Sequence, residues 1–393
     1  MKTIVNIVSK ETIPNFLFVK EICKNEIIDN IIWIVTSKKE SQDAMSNLEE
    51  SLPEEKHIKI NFEPNGEESI TYMEKVLKEN ICLDSVYFVN LTGGTKLMSL
   101  TVYNFFKENC QNAEYYYKPI EKNTIINITN GQSTNIGYKV SVKEYLGLYG
   151  LRYTGKGDVY LGKEEAEYMY SKYKEIQQSN EIKKLRGNEE ELRELKELAK
   201  LDKDKRDKEI GRLKRYRDNL KETPISTLED KDIQAFLQIH SIPTKKYGTL
   251  SSKDVKYMTG EWFEDFIYYL TETKCKPDNI LHGIHIKKKE DKQSDNEIDV
   301  IYTKENKLYV IECKTGIPKK EFNNIADKAT SIKTLLGKNV ESSFYTYLDD
   351  LGTDTSMINM RKEKLDKHDI KYKCKPDIDK FYNEIDKLEQ SSL

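Results

Sequence analysis

The first 130 residues alternate between short apolar runs and amphipathic segments, and this alternation limits the fold more than any other feature of the sequence. Apolar runs cover residues 3–9, 31–36, 57–62, 85–90, 114–117 and 124–128, with helical patterns at 16–28, 41–52, 69–78 and 97–109 between most of them. Continuously apolar strands that alternate with helices are typical of a parallel sheet covered on both faces. We therefore predict a Rossmann-like α/β domain over residues 1–150.

Polar residues follow the ends of three of these predicted strands. In a doubly wound sheet, ligands bind beyond the carboxyl ends of the strands, where the strand order reverses. Paired glycines before a helix allow backbone N–H groups to approach an anion such as a phosphodiester. The alternative is an ordinary tight turn, and neither the GxxxxGK nor the GxGxxG spacing is present. The candidate ligand-binding residues are Ser9, Lys10, Thr36, Ser37, Asn90, Thr92, Gly93, Gly94, Thr95 and Lys96.

The segment NLTGGTKLMSL at residues 90–100 resembles the signature loop of CARF domains, the CRISPR-associated Rossmann-fold sensors. Ser9, Thr36 and Ser37 occupy positions that contact ligand in that family, and the resemblance covers roughly residues 1–145. It implies a homodimer whose two sensor domains share one cyclic oligoadenylate, most often the tetra-adenylate. A ligand with two-fold symmetry fits on the two-fold axis of such a dimer.

Residues 151–250 are dominated by charged side chains, and we predict a helical connector there. Residues 203–221 contain nine Lys or Arg against four acids. The segment is interpreted as a link between sensor and effector, as a basic arm for nucleic acid, or as a solvated helical hairpin. Residues 228–239 are a short candidate for one helix of a winged-helix-like module.

The chemistry is concentrated in residues 251–393. An amphipathic helix is expected at residues 260–270, and two apolar strands, NEIDVIY and LYVIECKTG, flank a polar turn at 304–307, which indicates a hairpin. Because residues two apart in a strand share a face, Glu312 and Lys314 project together, with Asp299 on the neighbouring strand. Oxygen atoms of Asp299, Glu312 and the Cys313 carbonyl are the expected metal ligands, with Glu264 as a further ligand that binds directly or through water. Such an oxygen set favours Mn²⁺ or Mg²⁺.

Lys314 is expected to orient the attacking water, help deprotonate it or stabilise charge on the phosphorane. The alternative is a surface hairpin with an exposed Glu and Lys. An apolar run such as LYVI is typical of a buried strand, however, and charges at its end need a partner. The six cysteines are scattered without a CxxC pair, and the five histidines lack ligand spacing, which disfavours a zinc site.

Glu264, Asp299, Glu312 and Lys314 resemble the motif of the PD-(D/E)xK nuclease superfamily, whose fold is restriction-endonuclease-like α/β. Behind a CARF-like domain, NEIDV and IECKTG resemble the CARF-plus-nuclease effectors of type III CRISPR defence. That resemblance implies a metal-dependent endonuclease, activated by cyclic tetra-adenylate. It would cut single-stranded DNA or nick supercoiled duplex DNA, cut single-stranded RNA, or do both, without sequence specificity. The sequence leaves open whether Glu261 or Glu264 is the helix acid.

Two other functions remain compatible with the sequence. One is a messenger-independent, structure-specific or restriction-like DNA nuclease, and the other is a ligand-responsive transcription regulator that binds DNA through the middle region. No apolar run is long enough to cross a bilayer, so we expect a cytoplasmic protein without a membrane partner.

Overall fold

The computed structural model describes residues 1–155, 159, 162–178, 257–289, 296–316, 322–337, 339–352 and 354–390. These residues form two mixed sheets covered by helices. The basic run at 203–221 and the winged-helix candidate at 228–239 lie outside the described residues. None of the described helices combines the length and the apolar character that crossing a membrane requires.

The first sheet has seven strands in the order β3-β2-β1-β4-β5-β6-β7. The first five strands are parallel, and β6 and β7 are antiparallel additions. This arrangement is the predicted Rossmann-like sheet, with its reversal of strand order between β1 and β4. The elements are β1 (Lys2–Ile7), α1 (Ile13–Asn25), β2 (Asn30–Thr36), α2 (Lys39–Ser51), β3 (His57–Phe62), α3 (Ile70–Asn80), β4 (Val86–Asn90), α4 (Lys96–Asn109), β5 (Ala113–Tyr117), β6 (Thr124–Asn127) and β7 (Ser133–Asn135).

The second sheet has six strands in the order β13-β12-β11-β10-β9-β8. Strands β8, β9, β10 and β11 pair with one another antiparallel, and β11, β12 and β13 pair in parallel. The elements are α5 (Val142–Leu148), β8 (Leu151–Thr154), α6 (Lys163–Gln178), α7 (Trp262–Cys275), β9 (Asn279–Lys288), β10 (Asn296–Lys304), β11 (Lys307–Lys314), α8 (Phe322–Leu336), β12 (Val340–Thr346), α9 (Thr355–Lys367), β13 (Ile370–Lys373) and α10 (Lys375–Gln390). The predicted hairpin is therefore β10–β11, and both residues of its turn, Glu305 and Asn306, have positive φ.

The start of the predicted connector differs from the structure. Strand β8 pairs with β9 and so forms the edge of the second sheet. Helix α6 packs against α7 through an apolar stripe with the spacing i, i+3, i+4, i+7. Charged residues surround this stripe in the sequence, so its helical period is hard to recognise there. Its members are Ala166, Met169, Tyr170 and Tyr173.

One hydrophobic core joins the two sheets. It contains side chains of α1 and α2 beside the first sheet, side chains of α5, and one face of β9, β10 and β11. Ile332 and Leu336 near the end of α8 belong to the same cluster. The first and second halves of the chain therefore pack as one body, with α5 between them.

Candidate active site

The backbone pairing of β10 with β11 ends at Val300, one residue before Asp299. Pairing between β10 and β11 runs from Lys304–Lys307 to Val300–Ile311. At the next position the Asp299 side chain replaces a backbone partner, since its Oδ2 accepts a hydrogen bond of 2.7 Å from the Cys313 N–H. The carboxylate is buried and lies in the gap between the strands. This bond fixes the acid against the strand that carries the other candidate residues.

Three oxygen atoms converge on the Lys314 ammonium at the end of β11. Its Nζ lies 2.7 Å from Glu312 Oε1 and 3.3 Å from Asp299 Oδ2. The same ammonium donates a 2.9 Å hydrogen bond to the Cys313 carbonyl. These are three of the oxygen donors that the sequence assigned to a metal ion. The structure therefore brings Asp299, Glu312, Cys313 and Lys314 together.

Glu264 lies in the first turn of α7, close enough to Asp299 and Lys314 for their charges to change its pKa. Burial raises the pKa of Glu264 well above its usual range, and the negative charge of Asp299 raises it further, while Lys314 opposes the shift. Glu261 also raises the pKa of Glu264 and is a weaker neighbour than Asp299. The choice of Glu264 as the helix acid stays a prediction.

The charge state of Lys314 follows from its three acidic neighbours. Burial lowers the pKa of Lys314, but Asp299, Glu312 and Glu264 outweigh burial and hold it well above its usual range. The side chain is therefore an ammonium at neutral pH in this arrangement. Charge stabilisation, one of the roles expected from the sequence, fits this protonated state, and the roles of orienting or deprotonating the water stay predictions.

The donor set fits a hard divalent cation. Within the described ranges, no group of three or more His, Cys, Asp or Glu side chains is arranged to hold a metal ion. The third converging donor is a backbone carbonyl, and carbonyl and carboxylate oxygens are the ligands that Mg²⁺ and Mn²⁺ prefer. Burial and the charge of Asp299 both disfavour an ionised Glu264, and a cation held at this point would favour it. The ammonium of Lys314 holds the position where these oxygens meet.

Two contacts at this site were not foreseen from the sequence. The Lys328 ammonium, from the middle of α8, contacts Glu312 Oε2. Asp265, which follows Glu264, lies 3.1 Å from the ring of His282 on β9, and both side chains are buried. Burial lowers the pKa of His282, and the nearby Asp299 opposes that shift. Neither contact has a local sequence signal, because each joins elements that are distant in the chain.

The candidate ligand-binding residues lie where the sequence placed them, after the carboxyl ends of β1, β2 and β4, which are neighbours in the sheet. Their exposure divides them into two groups. Asn90, Thr36 and Gly93 are buried, whereas Ser9 and Thr92 are partly exposed. The exposed members are Lys10, Ser37, Gly94, Thr95 and Lys96.

The buried members support the loop from below. Asn90 Nδ2 donates to Asn6 Oδ1 at 2.9 Å and to Asn15 Oδ1 at 3.1 Å, and its Oδ1 accepts a 2.6 Å bond from the Thr92 hydroxyl. A Cβ on Gly93 would lie 1.9 Å from the Ile7 carbonyl oxygen, so only glycine fits. The predicted anion-binding loop therefore rests on a network of neutral amides, with the Thr95 hydroxyl capping α4.

Lys118, beyond β5, is a further residue at this edge that the sequence did not reveal. Its backbone N–H donates a 2.8 Å bond to the Thr92 hydroxyl. Its buried ammonium donates to the carbonyls of Pro119 and Lys122. Burial lowers the pKa of Lys118 to about 8.

The loop after β1 connects the ligand edge to the second half of the chain. Directly after Ser9 and Lys10, Glu11 accepts a 2.9 Å hydrogen bond from the Tyr149 hydroxyl, and the Thr12 hydroxyl donates to the Leu148 carbonyl. Gly337, at the end of α8, packs so closely that a Cβ there would lie 2.5 Å from Glu11 Oε2. The helix that carries Lys328 therefore ends against the sensor loop.

The hairpin turn makes a second connection. Asn306 is buried, its Oδ1 accepts from the Val140 N–H at 2.8 Å, and its Nδ2 donates to the Tyr138 carbonyl at 2.8 Å. The asparagine that signalled a turn in the sequence thus also joins β10–β11 to the segment before α5.

Comparisons with known proteins agree with both halves of this description. A family model for the Card1 CARF domain matches residues 3–145, and one for the Card1-like endonuclease domain matches residues 251–381. A comparison with curated proteins gives no match.

Two solved structures share the fold over almost the whole chain. One is Can2 from Sulfobacillus thermosulfidooxidans in complex with cyclic tetra-adenylate, with 20% identity, a TM-score of 0.66 and coverage of 98% of this chain and 99% of that one. The other is VC1899 from Vibrio cholerae, with 13% identity, a TM-score of 0.68 and coverage of 98% and 97%. Together with the two family models, the fold shows that this chain belongs to the CARF-domain nucleases and combines a Card1 CARF domain with a Card1-like endonuclease domain.

Proposed function

We propose that this protein is a metal-dependent endonuclease that cyclic tetra-adenylate activates and that cuts nucleic acid without sequence specificity. The observation that carries the proposal is the convergence of Asp299, Glu312 and the Cys313 carbonyl on one point, occupied by Lys314, within an endonuclease domain. The substrate is DNA, as single strands or supercoiled duplex, single-stranded RNA, or both.

Asp299, Glu312, the Cys313 carbonyl and Glu264 would hold Mn²⁺ or Mg²⁺. When bound, the ion lowers the pKa of a water molecule and polarises the phosphoryl oxygens. The ammonium of Lys314 would stabilise the negative charge that develops on the phosphorane. The Cys313 N–H, which donates to Asp299 Oδ2, would hold this carboxylate against β11.

The activator would bind at the carboxyl ends of β1, β2 and β4, across the axis of a homodimer. Three observations support this part of the proposal. Exposed Lys10, Lys96 and the α4 N-terminus provide positive charge for phosphates. The Card1 CARF model covers the loop, and Can2, which shares the fold, was solved with cyclic tetra-adenylate.

Activation would act through whole protomers. Because the sensor and nuclease halves of one chain share a core, a ligand on the dimer axis would move each chain as a rigid body and change how the two nuclease sites face each other. The loop at Glu11 gives a second, shorter route from the ligand edge to α8.

The proposal is tested with purified protein, Mn²⁺, and three substrates: supercoiled plasmid, single-stranded DNA and single-stranded RNA, each with and without cyclic tetra-adenylate. We expect cleavage of at least one substrate only in the presence of the activator. Equal cleavage in both arms would instead identify a messenger-independent nuclease. Cleavage by the Glu312→Ala or Lys314→Ala variants would contradict the assignment of the site.

A further inference from the structure

Helix α8 brings a second lysine to the nuclease site. Lys328 lies fourteen residues beyond Lys314, outside the hairpin, and its ammonium contacts Glu312 Oε2. The side chains are largely buried, with 23% of Lys328 and 14% of Glu312 exposed. A contact at this depth is not one of the exposed ion pairs that contribute little to stability.

The contact divides the two oxygens of Glu312 between two cations. Oε2 is held by Lys328, and Oε1 lies 2.7 Å from Lys314. Only Oε1 therefore faces the point where Asp299 and the Cys313 carbonyl also converge. With Lys328 in place, Glu312 offers one oxygen to that point and not two.

The position of Lys328 on α8 is fixed from both ends of the helix. Phe322 and Ile325 belong to the cluster formed with β12, α9 and β13, while Ile332 and Leu336 belong to the core shared with the sensor half. Lys328 lies between the two anchored segments. The lysine is therefore presented to Glu312 by a helix that cannot move independently of either core.

We propose that Lys328 is a positioning residue of the nuclease site, which engages Glu312 Oε2 and leaves the other oxygen alone to serve a divalent cation. The inference rests on the proposed function. It predicts that loss of Lys328 frees Oε2 to turn toward the cation as well. Binding of the cation is then at least as tight, because a positive charge has gone and an oxygen has been gained, but fewer positions remain for water and substrate.

The test compares Lys328→Met, which keeps the length of the side chain, with Lys328→Arg and Lys333→Met. Lys333 is a matched control, since it lies on the same helix but pairs with the exposed Asp369 on the far side. Two readouts are measured on full-length protein: Mn²⁺ binding by calorimetry without substrate, and cleavage at saturating Mn²⁺ and cyclic tetra-adenylate.

We expect Lys328→Met to bind Mn²⁺ at least as tightly as the wild type and to cut about 10–100-fold more slowly. Lys328→Arg should recover part of the rate, and Lys333→Met should match the wild type in both readouts. Weaker Mn²⁺ binding together with a lowered melting temperature would make Lys328 a structural ion pair and overturn the inference, as would a wild-type cleavage rate. A wild-type protein that neither binds Mn²⁺ nor cuts overturns the proposed function and the inference with it.

Discussion

The ligand edge of the sensor sheet and the end of the nuclease hairpin are both built from polar groups at the ends of buried strands, but they are stabilised differently. At the sensor edge the buried side chains are neutral amides, Asn6, Asn15 and Asn90, which hydrogen-bond to one another. At the nuclease site the converging side chains are carboxylates paired with the ammonium groups of Lys314 and Lys328, and the pKa of Glu264 is raised by burial and by Asp299. The buried groups of the sensor edge therefore pair as neutral amides, whereas those of the nuclease site pair as ions.

The largest expected effect is on the cleavage rate, from removing the charge of Asp299 at the nuclease site. Asp299→Asn removes the charge but keeps an oxygen for the Cys313 N–H. It should lower cleavage by at least about 10²–10³-fold with little change in melting temperature. Asp299→Ala should be as inactive and also lose about 1–3 kcal/mol of stability, because the buried N–H then has no partner. Activity assays and urea unfolding separate the two effects, and wild-type cleavage by Asp299→Asn would contradict the site.

At the sensor edge, the most sensitive position is Gly93, where there is no space for a side chain. Gly93→Ala would place a Cβ 1.9 Å from the Ile7 carbonyl oxygen, so the loop must move away from β1. We expect a loss of about 1–3 kcal/mol in the free energy of unfolding, and weaker binding of cyclic tetra-adenylate. Gly147→Ala is the control, since a Cβ there meets nothing within 4 Å. Equal stability of the two variants would show that the loop is not held against β1.

Lys118 is a buried charged residue at the otherwise neutral sensor edge, and its lowered pKa predicts that stability depends on pH. Burial lowers its pKa to about 8. Between that value and about 10.4, the usual pKa of lysine, the unfolded chain binds more protons than the folded one, so stability rises with pH in this window. The difference between these two pKa values corresponds to about 3 kcal/mol. Melting curves of Lys118→Met should lose this rise, whereas the exposed Lys122→Met should keep it. A rise of the same size in Lys118→Met would contradict the assignment.

The smallest effect is expected where the two regions meet. Glu11→Ala removes the acceptor for the Tyr149 hydroxyl next to Gly337. If this loop transmits ligand binding, the affinity for cyclic tetra-adenylate stays near the wild-type value while the ratio of activated to basal cleavage falls about fivefold. Lys10→Ala is the contrasting variant, because this exposed residue should affect affinity. An unchanged activation ratio in Glu11→Ala would show that this loop does not transmit ligand binding. Activation would then depend on the movement of whole protomers.

Local patterns in the sequence predicted the parallel sheet of the first half and the hairpin of the second. The parallel strands, the hairpin and the convergence of Asp299, Glu312 and Lys314 all follow from periodicity and spacing within short segments. Lys328, the Asp265–His282 contact and the place of β8 do not, because each depends on packing between distant elements. The apolar stripe of α6 was present in the sequence, but the charged residues around it obscured its period.

The core that joins the two sheets has a consequence for how the molecule can be divided. A fragment beginning at residue 251 would lack β8 and would leave the apolar side chains of β9, β10 and β11 without the helices that cover them. Such a surface is prone to aggregation, so we expect the intact chain to melt in one transition and the separate halves to be poorly soluble. A sensor domain from one relative would then join the nuclease domain of another only if the side chains around α5 still fit together. Recombination between relatives is therefore limited by this interface.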